Sequence, residues 1–291
     1  MRTLASGGFL DPPHTLSANT TAFWVFSTAT TVIVVASIVV AIVATYRLRS
    51  PLPAAVFVSA ALWLPNEPFV DAIIGFQYAA DSPLILFTLW GRAIPVGVLG
   101  VGAMFFLFPW AIYRMVLGGV STGRIVAVCM VAGIIDWFLE WPAIHWGLFE
   151  YYGNNPSRVF GLPVTSMAQN CFIYALMAAA ILVAAPHLRG RRLVLFIPVI
   201  PGIYLGGAVL CTWPAYLALH AGWPTAVFLV LAAISTAMNV YIPLGVLAIA
   251  RRYNTWSRRF MDGDQATDET ILERDGGWWN RRSANAATAH V

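Results

Sequence analysis

Val131–Gly153 reads VAGIIDWFLEWPAIHWGLFEYYG, which sets two carboxylates, a histidine and a band of aromatics inside an otherwise apolar run. As a helix, the stretch puts Asp136 and Glu140 at i and i+4, so both leave one face and can share a small cavity. A charge at the bilayer centre costs ~2.5–3.5 kcal/mol even on the mild translocon scale, so two adjacent acids in a membrane span need a compensating role.

Around this stretch the chain has the composition of a polytopic membrane protein. Hydrophobic residues make up 59% of 291 and charged residues only 10%, where soluble domains carry about 25%. Apolar runs at about Ala22–Tyr46, Leu52–Tyr78, Thr88–Tyr113, Arg124–Gly147, Pro163–Ala185, Leu193–Leu219 and Pro224–Ala250 are each long enough to cross a hydrocarbon core of ~30 Å. The expected fold is therefore all-α, a transmembrane bundle of seven spans.

Arginine placement tests that count independently. Arg47, Arg49, Arg114, Arg124, Arg189, Arg191, Arg192, Arg251, Arg252, Arg258 and Arg259 fall in alternate connections or the tail, against Arg2, Arg92 and Arg158 on the other side. That bias predicts an outside N-terminus and a cytoplasmic C-terminus in a bacterial cytoplasmic membrane. The formal charge of +4 thus reports topology, and nucleic acid is not an expected partner; the expected partners are the bilayer and an apolar small molecule. Three regions follow: a short extracytoplasmic segment at 1–21, the transmembrane domain at 22–253, and a polar cytoplasmic tail at 254–291, expected to be disordered. The three cysteines lie in apolar runs without CxxC or zinc spacing, as core residues do. The absence of lysine excludes a retinal Schiff base.

A second acidic segment, Leu64-Pro65-Asn66-Glu67-Pro68-Phe69-Val70-Asp71, interrupts span two and again spaces two acids by four residues. The two acidic segments resemble one another faintly, without establishing a repeat. Irregular backbone at membrane depth is tolerated where it lines a protein cavity. At ~1.5 Å rise per residue, Asp136 and Glu140 come ~18 and ~24 Å above the cytoplasmic end of their span, and Glu67 and Asp71 ~22 and ~28 Å above theirs. Arg92 falls ~6 Å below the outer edge of span three, and Gln169 and Asn170 ~9–10 Å below that of span five. These polar groups converge on the outer half of spans two to five, with Tyr204, Thr212, Trp213 and Tyr216 of span six as neighbours.

Arg92 is expected to pair with one or two of the four acids while another keeps its proton, giving an acid/base pair. The structural alternative is a buried polar network that fixes helix register. His145 is a candidate proton shuttle or an interfacial residue. Gln169 and Asn170 could orient a substrate or join helices. Trp137, Trp141, Trp146, Tyr151 and Tyr152 could face a cationic intermediate or form an interfacial belt.

No DDxxD-type motif, histidine box, HExxH, GxSxG or P-loop is present. What remains is acid/base chemistry on an apolar substrate with neither metal nor cofactor, or transport and binding. Gly133-Ile134-Ile135-Asp136-Trp137-Phe138-Leu139-Glu140, followed by Gly147-Leu148-Phe149-Glu150-Tyr151-Tyr152 and a polar start to the next span, resembles the spirocyclase AveC-like membrane proteins across residues 60–220. The resemblance implies an actinobacterial membrane enzyme that forms a polyketide spiroketal by cyclodehydration, with Asp136 and Glu140 at the matching acidic positions. Asp136 as base or orienter and Glu140 as acid would serve that reaction; the roles are interchangeable. A terpene cyclase or carotenoid hydratase uses the same ingredients, and a proton-coupled transporter or lipid-binding protein is the non-enzymatic alternative.

Overall fold

A computed structural model describes residues 10–12, 16–188 and 190–261. Among these, six helices are long and apolar enough to cross a membrane, and the chain is an all-α, multi-pass bundle. Helix α1 (Thr20–Leu48) starts behind Asn19, whose side chain accepts the Ala22 amide at 3.0 Å and satisfies a first-turn donor.

The expected second span is two short helices. Helix α2 (Leu52–Ala61) ends before Trp63, a 3-10 turn covers Leu64–Asn66, and α3 (Glu67–Ile74) follows. Pro68 lies in the first turn of α3, where its missing N–H removes no helical bond. Gly75 then closes the helix in the left-handed region, and the chain leaves as strand β1 (Phe76–Tyr78).

The start of span three is likewise corrected. From Ile85 the chain forms a hairpin of β2 (Ile85–Leu89) and β3 (Arg92–Pro95), and α4 runs only from Leu99 to Leu117. Leu89 pairs with Arg92 across Trp90-Gly91, whose φ values of 52° and 73° define the turn whose twist suits a two-residue hairpin. Arg92 is therefore on a strand, outside any spanning helix.

The remaining elements are α5 (Thr122–His145), β4 (Phe149–Tyr151), β5 (Arg158–Val159), β6 (Leu162–Pro163), α6 (Val164–Ala184), α7 (Val199–Ala221) and α8 (Thr225–Met261). Strand β4 pairs antiparallel with β1, and β5 with β6 across Phe160-Gly161, again with both φ positive. A repeat not established by the sequence is thus visible: acid-bearing helix, strand, aromatic-Gly hairpin and closing helix occur in that order twice. Helix α8 carries residues 254–261 of the expected tail; residues 262–291 lie outside the described residues, as do Arg189 and most of the N-terminal segment.

Helix α6 is the hub, packing on α4, α5, α7 and α8. Its approach to α5 is close because Gly133 has no side chain: a Cβ there would collide with Cys171 Sγ. All six strands gather at one end of the bundle. The N-terminal segment straps across that end, with the Leu10 amide donating to His220 Nδ1 at 3.1 Å and the Ser17 hydroxyl and Ala18 amide donating to Asp81 at 2.5 and 2.8 Å. Those two bonds hold the Asp81 carboxyl below its ordinary range. The opposite end carries most of the described arginines, Arg92 and Arg158 excepted, and Arg251 of α8 reaches the Val120 carbonyl in the α4–α5 turn there.

Candidate functional site

Asp136 and Glu140 face inward from α5, and Asn170 of α6 joins them, its Nδ2 donating to Asp136 Oδ2 at 2.5 Å and to Glu140 Oε1 at 3.3 Å. Glu67 and Asp71 do the same from α3, both buried. The β1–β4 ribbon covers both pairs. Its register sets Phe76 opposite Tyr151 and Tyr78 opposite Phe149, so alternation puts these four rings on one face. From that face the Tyr78 hydroxyl donates to Glu67 Oε1 at 2.8 Å and the Tyr151 hydroxyl to Glu140 Oε2 at 2.9 Å.

All four carboxyls line one cavity of about 50 Å³, together with Tyr78, Tyr151, Ser166, Gln169, Asn170, Tyr174 and Tyr204. Phe76, Phe105, Ile74 and Val101 supply its apolar wall. Three of the acids receive a hydroxyl or amide donor; Asp71 Oδ2 is buried without a partner. Four carboxyls with no cation among their hydrogen-bond partners share protons rather than carry four charges. Among the described residues no group of His, Cys, Asp and Glu side chains is arranged to hold a metal ion.

The expected convergence of Glu67, Asp71, Asp136, Glu140, Gln169, Asn170, Tyr151 and Tyr204 is therefore present. Gln169 accepts from the hydroxyls of Thr212 at 3.2 Å and Tyr216 at 2.9 Å, and Asn239 of α8 donates to Thr212 at 2.8 Å, so a polar line leads from the cavity into α7 and α8.

Other expectations are corrected. Arg92 pairs with none of the acids; its guanidinium donates to the Phe76 carbonyl, to Gln77 Oε1 and to the Tyr152 hydroxyl. Tyr152 consequently faces Arg92, one strand position away from Tyr151 and outside the cavity. Trp137 and Trp141 stack on each other at 5.4 Å against Phe160 of the second hairpin tip, and line no part of the cavity. His145, Trp146 and Trp213 are exposed. The rings facing the acids are tyrosines and phenylalanines. Tyr78, Ser166 and Tyr174 were not singled out from the sequence; for Tyr78 the signal was available, since Gly75-Phe76-Gln77-Tyr78 mirrors Leu148-Phe149-Glu150-Tyr151 after an acidic helix.

The chain matches no protein-family model, and neither a curated protein nor a solved structure matches it.

Proposed function

We propose that the protein is a membrane-embedded acid/base cyclase for an apolar, oxygen-bearing substrate, of the spiroketal-forming cyclodehydration type. The observation that carries this reading is the meeting of four carboxyls, two per helix, on one small cavity walled in part by aromatic rings. A carboxylic acid protonates the substrate's hemiketal oxygen, water leaves, and the resulting oxocarbenium ion is faced by the rings of Phe76, Phe105, Tyr174 and Tyr204. The second hydroxyl closes the ring and gives its proton to a carboxylate, for a net loss of one water.

At about 50 Å³ the cavity is sized for the reacting atoms and a released water. Binding of a larger substrate then requires the cavity wall to move. With the arginine-rich end in the cytoplasm, the cavity lies in the outer half of a bacterial cytoplasmic membrane.

The test compares extracts of a producing strain and its deletion mutant, complemented with wild type, Asp136→Asn or Glu140→Gln. Accumulation of a ring-open precursor heavier by one water, with turnover at least about 100-fold lower in either variant, is the expected result. Unchanged extracts, or full complementation by both variants, would sink the proposal. A second reading, proton-coupled transport, draws on the polar line Gln169–Thr212–Asn239 leading away from the cavity. It requires a proton gradient, whereas cyclisation proceeds in detergent.

A further inference from the structure

The element repeat holds residue by residue. One shift of 73 positions carries Glu67 onto Glu140, Phe76 onto Phe149 and Tyr78 onto Tyr151. Each tyrosine donates to the glutamate 11 residues before it. Exchanging the two units turns the pair Phe76–Tyr151 into Phe149–Tyr78, also a pair of the ribbon, and returns the central pair Gln77–Glu150 to itself. That is the register of a twofold axis through β1–β4, and the two closing helices, α4 and α6, pack on one another. Two equivalent halves thus meet at the cavity.

The halves differ where chemistry would distinguish them. The same shift carries Trp63 onto Asp136. Counting seven residues on from Pro95 and from Pro163, Gly102 corresponds to Asn170. In the second half these positions form the hydrogen bond from Asn170 to Asp136. In the first they form a packing contact, since a Cβ on Gly102 would run into the Trp63 indole. Conversely, Asp71 stands where the second half has Ile144, and its buried Oδ2 lines the cavity unpartnered.

From this asymmetry we infer, resting on the acid/base reading above, that the duplicated halves have opposite proton roles: Glu67–Asp71 donates and Asp136–Glu140 accepts. An amide N–H favours the carboxylate it binds, which suits Asp136 and Glu140 to receive a proton. A buried carboxyl oxygen with no donor is cheaper to keep neutral, and its own O–H then points into the cavity. Around Asp71, burial and the neighbouring Glu67 oppose the charged form more strongly than Arg92 favours it. Glu67 precedes it by one turn, Tyr78 and Tyr204 face it with phenols, Asp136 and Glu140 stand opposite, and Arg92 is turned to the Phe76 carbonyl, Gln77 and Tyr152. In each cycle one proton passes from Asp71 to a substrate oxygen and one from a substrate hydroxyl to the Asp136–Glu140 pair. Return across the cavity restores the start, with no proton gained or lost.

Infrared difference spectroscopy of the full chain in phospholipid vesicles reads this without turnover, through the carbonyl stretch of protonated carboxyls at neutral pH. Asp71→Asn is expected to remove the highest-frequency acid band, that of a carboxyl without hydrogen-bond partners, and to lower turnover about 100-fold. Asp136→Asn leaves that band in place. Asn170→Leu, which deprives both acceptors of their shared donor, adds a new acid band and is the arm to rely on if Asp71→Asn does not fold. A band that persists in Asp71→Asn and vanishes in Asp136→Asn reverses the roles, and no new band in Asn170→Leu overturns the inference. The expected spectra alongside unchanged extracts would remove the cyclase reading and leave the donor–acceptor split standing.

Discussion

Arg92 donates to three neutral oxygens and thereby ties the strand after α3 to the segment after β4. An intramembrane cation among four acids is naturally read as their counter-ion. The reading failed because Arg92 sits on a hairpin strand, where the Phe76 carbonyl and the Tyr152 hydroxyl are the groups in reach. The planar fork can serve both at once and a lysine ammonium cannot. Arg92→Lys should therefore cost about 1–3 kcal/mol, read as a lower melting temperature in detergent. The neutral-pH acid band should stay, since no carboxyl loses a partner. Asn170 and Gln169 were legible for the opposite reason: amides inside an apolar helix have few options but a polar cavity or another helix, and here they take both.

At the scale of elements, the long helices could be read from apolar length, and the acid pairs from i, i+4 spacing and the shared direction of their spans. The strands could not. Leu84–Leu89 and the residues after Gly91 form one apolar run, and length alone does not separate such a run from the start of a helix. What decides it is Trp90-Gly91, a turn with positive φ at a bulky residue, which composition does not announce. Packing between elements is equally hidden in sequence. Gly133 is ordinary in a membrane helix until Cys171 of α6 is found against it. Gly133→Ala should force α5 and α6 apart and cost about 1–3 kcal/mol by overpacking. Adding Cys171→Ala should recover part of that loss in the same melting assay. Equal melting temperatures for the single and double variants would mean that the contact does not set the spacing.

For the whole molecule, six long apolar helices and the broken pair α2 and α3 run between a strand-built end and an end that carries most of the described arginines. The strap across the strand end is acid-sensitive. Asp81 is held below its ordinary range by Ser17 and Ala18, so its tether contributes stability above the unfolded value, ~3.9, and loses it as pH falls through the lower folded value. Protection of the Ala18 amide relative to its intrinsic exchange rate should accordingly be greatest at neutral pH and fall below about pH 4; no protection at any pH would show that the tether is not closed. The strap has a further consequence for synthesis. Leu10 leaves the ribosome well before its partner His220, which is 210 positions later in the chain. Ser17 and Ala18 meet Asp81 early, but until α7 is made the Leu10 end lacks its His220 anchor, and nascent chains halted before α7 should be cut by protease near Leu10 more readily than the full chain. Full closure of the cap over the strand-built end is thus a late event of biogenesis, completed when the last helices arrive.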